Sequence, residues 1–230
     1  MKLRERSTQK ELLDEDGIRT EHLWRNLYEL DVINKYLGGH QNTIGAIKRI
    51  ISTNENRVWR IVDLGCGGGD TLRAIAKYFN KRSVQIELTG IDILPDAISY
   101  SRKHTSELSI EYICADFAEV EGEGYDIAIS SLFCHHLYGE QFANMIETKR
   151  RLAKYLVIND LHRHFLAYHS IKLLTQLFSK SHLVKNDAPL SVACGFRKAE
   201  LENMLSTHDW SSLKVYWGWA FRWIVIAERR

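Results

Sequence analysis

Residues 58 to 70, Val-Trp-Arg-Ile-Val-Asp-Leu-Gly-Cys-Gly-Gly-Gly-Asp, constrain the fold more than any other stretch. Apolar residues at Val58, Ile61 and Val62 run into an acid, Asp63, and then into Gly65, Gly67, Gly68 and Gly69, with helix formers from Thr71 onward. An apolar strand that turns through glycines into a helix is the first half of a βαβ unit, and its glycines let backbone come close to a ligand. Four glycines in five residues would weaken a turn that served packing alone, so the stretch reads as a nucleotide-cofactor turn. Counted from Gly65, the dinucleotide order G-x-G-x-x-G puts Asp70 where the third glycine belongs, which disfavours a nicotinamide site. The Gly-Lys-Ser/Thr of a Walker loop is absent too.

The same alternation continues downstream. Strands are expected at 58–64, 84–92, 109–114, 125–130 and 153–158, with helices at 70–80, 95–106 and 139–151 between them. Strands separated by helices predict a parallel sheet. Two apolar stretches near 213–217 and 221–227, parted by Gly218, are expected to pair antiparallel. The fold class is therefore α/β, a doubly wound, Rossmann-like, seven-stranded mixed sheet with an antiparallel last strand. Helices at 20–37 and 41–52 precede it. A helix at 163–179, apolar on more than one stripe, reads as a cap inserted after the fifth strand, with one face on the sheet and another over a cleft. A helix at 197–207 leads to the last strands. At 230 residues one domain is expected, with a helical part at 1–55, a cofactor core at 56–160, a cap at 161–196 and a closing unit at 197–230.

A formal charge of +2 gives no field that would gather nucleic acid, so a small-molecule partner is expected and nucleic acid is not. The chain lacks an apolar leader or a membrane-length segment, and Cys66, Cys114, Cys134 and Cys194 have no C-x-x-C spacing. These features predict a cytoplasmic protein with reduced thiols and no membrane insertion, as a monomer or homodimer.

Two further acids fall at predicted strand ends. Asp92 closes Leu-Thr-Gly-Ile-Asp-Ile, where a carboxylate can accept both hydroxyls of a ribose or cap the helix after Pro95. Asp116 and Phe117 follow the third strand, an acid for an exocyclic amine and a ring for an adenine face. Apolar-Asp-Leu-Gly-x-Gly-x-Gly, then Asp92 with Ile93, then Ala-Asp-Phe, resembles the motif series of the class I S-adenosylmethionine (SAM) methyltransferases. The resemblance covers about residues 58 to 160. It implies SAM as cofactor and S-adenosyl-L-homocysteine as product. It also implies that Asp63 organises the turn near the methionine portion, with Gly65, Cys66 and Gly67 at the amino acid end and Ser131 beyond the fourth strand.

Ser130-Ser131-Leu132-Phe133-Cys134-His135-His136-Leu137 resembles the apolar-His-His-Leu segment of small-molecule members. His135 and His136 are catalytic candidates, as bases or as loop-fixing residues. After the predicted fifth strand, Asn159, Asp160 and His162 either face the cleft or cap the next helix; His162 is the third catalytic candidate. No metal is expected, because neither histidine pair has structural-zinc spacing. The resemblance extends loosely to enzymes of phenol, quinone and aromatic polyketide metabolism. The apolar cap and the nearby histidines favour O-methylation of a small apolar phenol, with C-methylation of a ubiquinone- or menaquinone-type quinol, or a non-catalytic binding protein, as the alternatives.

Overall fold

The computed structural model describes residues 3–15, 17–51, 57–82, 84–105, 107–120, 122 and 124–230. Ser52 and Ser106, the predicted ends of two helices, lie outside these. Among the described residues seven strands form one sheet: β1 (Val58–Leu64), β2 (Gln85–Asp92), β3 (Ile110–Cys114), β4 (Tyr125–Ser131), β5 (Ala153–Leu161), β6 (Trp210–Gly218) and β7 (Arg222–Arg229). Their order is β3-β2-β1-β4-β5-β7-β6. β1 to β5 run parallel, and β7 lies antiparallel to both β5 and β6. The order reverses between β1 and β4, so the carboxyl ends of these strands open the crevice where such sheets bind ligands.

Helices α1 (Thr20–Tyr36), α2 (Gly39–Ile50), α3 (Asp70–Phe79), α4 (Pro95–Lys103), α5 (Glu140–Leu152), α6 (Phe165–Phe178), α7 (His182–Cys194) and α8 (Lys198–Leu205) complete the layers. One core side holds Ile44, Ile47, Ile61, Leu72, Ile75, Val157 and Ile224 between α2, α3 and the sheet. The other holds Phe142, Met145, Leu156, Phe196, Leu201 and Trp223. Alternate residues of β5 and β7 serve the two sides, as the two-residue period of a strand requires. No helix among the described residues is long and apolar enough to cross a membrane.

Four expectations change. β5 runs on to Leu161, so Asn159 and Asp160 are strand residues with no exposure. The N-cap of α6 is His164, whose ring accepts from the Leu166 N–H at 3.2 Å. Residues 182–194, read loosely from the sequence, form α7 with Pro189 inside it. Finally, α6 is not covered on several sides. It packs on α7 and leaves Phe165, Leu166, Leu173, Leu177 and Phe178 exposed. α7 in turn touches α1, a 3-10 turn at Leu12–Asp14 and the turn at Cys134–His136.

Candidate active site

The glycine turn is tied to β2 before any ligand is considered. Gly65 and Cys66 donate their N–H groups to the Ile91 carbonyl at 2.9 and 3.0 Å. Gly67 donates to Asp92 Oδ2 at 2.7 Å, and the Leu94 N–H donates to Oδ1 at 3.0 Å. Asp92 thus braces the glycine turn and closes a turn onto Leu94, the residue before α4, which has no side-chain cap. A carboxylate offers about four lone-pair directions, so two remain for a ligand. Ile93 beside it is exposed. Gly65 and Gly67 have φ of 74° and 50°, conformations that glycine adopts without a Cβ penalty. A Cβ on Gly65 would also stand 2.4 Å from the Phe133 ring, which lies directly over the turn.

Phe133 follows Leu132, whose φ of 55° is in the left-handed region and marks a strained turn at the end of β4. The Phe133 ring meets Phe117 edge-on at 5.8 Å, so the two aromatics bracket one side of the crevice. Asp116 accepts from the Ala118 N–H at 2.9 Å as an N-cap. Ser131 Oγ lies 3.0 Å from Thr43 Oγ1, which also takes a hydrogen bond from Asn159 Nδ2 at 2.9 Å, joining α2 to the sheet edge. Asp63 is buried below the turn, and its Oδ1 has no hydrogen-bond partner among the described residues. Burial pushes its carboxyl up to about 8, against the pull of Lys149. Lys149 is buried too and donates to the Ile129 carbonyl.

His135 and His136 stand at the carboxyl ends of β4 and β5, each held by a carboxylate. His135 Nδ1 is 2.8 Å from Asp160 Oδ1, while its backbone N–H donates to Asp160 Oδ2 at 3.2 Å. His136 Nδ1 is 3.1 Å from Asp14 Oδ2. Both Nε2 atoms point toward Glu11, at 3.6 Å from Oε1 for His135 and 3.9 Å from Oε2 for His136. Burial opposes charge on His135, but Asp160 and Glu11 outweigh it and raise the ring to about 10. Glu11 arrives on an N-terminal strap, residues 3–15. Arg6 anchors the strap by donating to the carbonyls of His135 at 2.8 Å and Cys194 at 2.7 Å.

His162 is not brought to this pair. It packs 4.7 Å from Trp223 and 5.1 Å from His164, beside an open cleft of about 510 Å³ lined by Leu3, Arg4, Phe165 and Arg197. Burial, reinforced by His164, Arg163 and Arg197, pushes its ring down to about 4.

Sequence reasoning missed Glu11, Asp14, Phe133 and Arg222. Arg222 is fully enclosed at the start of β7, donating Nη2 to Asn34 Oδ1 at 2.9 Å. Its Nε and Nη1 have no hydrogen-bond partner among the described residues. Asn34 in turn donates to Asp70 Oδ2 at 2.8 Å, and His40 Nε2 lies 2.8 Å from the same oxygen, so α1, α2, α3 and β7 meet in one polar network. An arginine in an apolar closing strand was the available signal for Arg222. Nothing local marks Glu11, because its partners lie more than 120 residues away.

Comparison with known proteins agrees with this geometry. The family described as "Methyltransferase domain" matches residues 61–155. Among solved structures, the plantazolicin methyltransferase BpumL in complex with S-adenosylhomocysteine (SAH) is 16% identical, with 92% of this chain and 95% of that one covered at a TM-score of 0.64. Human N-acetylserotonin methyltransferase with SAM is 15% identical, covering 92% and 56% at 0.65. The magnesium protoporphyrin IX methyltransferase of Synechocystis PCC 6803 with SAH is 18% identical, covering 90% and 93% at 0.60. At these identities the likeness to the solved structures is one of fold.

Proposed function

With residues 61–155 a methyltransferase domain set in the class I SAM-dependent methyltransferase fold, we propose that the chain methylates the hydroxyl of a small, apolar, phenolic molecule. SAM supplies an electrophilic methyl group on a sulfonium: the sulfur–carbon bond breaks as the oxygen–carbon bond forms, leaving S-adenosyl-L-homocysteine. Asp92 gives its two remaining lone-pair directions to the ribose diol. Asp116 accepts the adenine amine, with Phe117 on the ring face and Ile93 and Ser131 at the borders. The backbone of Gly65, Cys66 and Gly67 receives the amino acid end, with Asp63 beneath. The Phe133 ring must leave Gly65 for that end to seat.

Holding the acceptor oxygen in line behind the methyl carbon supplies roughly 7 to 11 kcal/mol of the barrier reduction. A phenol must also lose its proton. His136, oriented through Nδ1 by Asp14, accepts that proton, and His135 with Asp160 fixes the turn that carries it. The observation that carries this reading is the pair of carboxylate-held imidazoles at the ends of β4 and β5. His136 lies 6.4 Å, ring centre to ring centre, from the phenylalanine that covers the glycine turn. The cap role of residues 161–196 belongs to the same reading, with α7 and the strap roofing the cleft.

The test offers methyl-labelled SAM with a panel of phenols and quinols and locates the label in the product. Transfer to phenolic oxygen is expected, with His136→Gln slowing turnover by about 10²- to 10⁴-fold. Label found only on carbon would replace this reading with C-methylation. Cofactor binding without transfer to any acceptor would favour a binding protein.

A further inference from the structure

We propose that Glu11, His135 and His136 form a binding site for one divalent transition-metal ion, which pins the N-terminal strap across the carboxyl ends of β4 and β5. One ligand atom from each residue lies within 4.8 Å of the other two. The separations of 3.6 and 3.9 Å between the imidazole Nε2 atoms and the Glu11 oxygens are too long for hydrogen bonds. Two metal–ligand bonds of about 2.1 Å at about 110–120° span roughly 3.4–3.6 Å, so each of these two nitrogen–oxygen separations is within a few tenths of an ångström of the span that a shared ion requires. On the opposite side of His135, where a proton is shared with Asp160, the contact has already closed to 2.8 Å.

The groups behind the ligands fit the same reading. A histidine that binds metal through Nε2 ordinarily donates Nδ1–H to a carboxylate, which fixes the tautomer and aims the ring. Both histidines do so here, His135 to Asp160 and His136 to Asp14. Glu11 is held as well, accepting from Ser191 Oγ at 2.5 Å through Oε1. Glu11, Asp14 and Asp160 bring three negative charges to a mostly buried place, which Arg6 and the proton held on His135 offset in part. A dication that displaced that proton would neutralise the remainder. Two nitrogens and one oxygen suit borderline ions such as Zn²⁺, Co²⁺ or Fe²⁺ over Mg²⁺ or Ca²⁺. The second acid–histidine group, Asp31, His40 and Asp70, lacks these features. His40 and Asp70 are already in contact at 2.8 Å, and Arg73 is paired with Asp31 at 3.2 Å.

Nε2 of His136 cannot at once take the phenol's proton and hold an ion, so metal binding is tested apart from turnover. The chelator-stripped full chain is titrated with Co²⁺, read by visible absorption, and with Zn²⁺, read by calorimetry. One equivalent is expected, with tetrahedral Co²⁺ bands. Glu11→Gln and His136→Gln should abolish stoichiometric uptake, and Asp14→Asn should weaken it by about 10- to 100-fold. Circular dichroism and melting temperature of each stripped variant establish that it folds, and Asp31→Asn should bind as the parent does. Absence of stoichiometric uptake, uptake unchanged in folded Glu11→Gln and His136→Gln, or loss only in Asp31→Asn would each overturn the site. Failure of metal binding with methyl transfer intact would leave the proposed function standing.

Discussion

At the scale of single residues, Asp92 carries the proposed ribose contact. Its carboxylate braces Gly67 and accepts from Leu94 just before α4, without capping that helix, and keeps lone pairs free for the proposed diol. Replacing it removes charge-assisted acceptors, each worth about 1.5–3 kcal/mol. Asp92→Ala should therefore weaken SAM by more than about tenfold in calorimetry. Unchanged affinity would mean that another residue holds the diol. Phe133 presents the opposite case, an apolar ring lying where the cofactor's amino acid end is proposed to sit. Phe133→Ala removes the work of displacing that ring, so S-adenosylhomocysteine should bind faster and more tightly. Weaker binding would instead identify Phe133 as a wall of the occupied site.

At the scale of elements, the strap and α7 are tied together. Asp187 of α7 accepts from the N–H groups of Leu12 and Leu13 at 2.9 and 3.1 Å, holding the turn that carries Glu11 and Asp14. Asp187→Ala should raise amide exchange at Leu12 and Leu13 by about tenfold or more, with β1 and β4 amides unaffected. Uniform acceleration would show that the strap does not open separately. The elements legible in the sequence were those whose signals are local: the run into Asp63, the glycine turn, and the alternation that fixes β1 to β5. Those misread depend on distant partners. Asn159 and Asp160 look like loop residues because buried polar groups are costly until paired. Their partners, Gly39 and Thr43 for one and His135 for the other, come from elsewhere in the chain. Pro189 hides α7 because proline inside a helix lacks the N–H and ordinarily breaks it. The exposed apolar residues of α6 reverse the expectation that such a helix must be covered on several sides.

At the scale of the whole molecule, His162 ties stability to pH. Its folded value of about 4 lies below the unfolded value of about 6.5. Between these values the unfolded chain binds the proton that the folded chain refuses, so this contribution lowers stability as pH falls from about 6.5 toward 4. Urea midpoints of parent and His162→Asn, measured over that window, should diverge, with the variant losing less; parallel curves would place the proton elsewhere. The strap has a consequence in time as well as in space. The glycine turn closes on Ile91, a short way along the chain, whereas Arg6 must wait for His135 and Cys194, 129 and 188 residues later. Closures across such distances come late. A chain emerging from the ribosome would present a formed cofactor turn while its roof was still unmade, and cofactor captured then would be enclosed only when synthesis had passed α7.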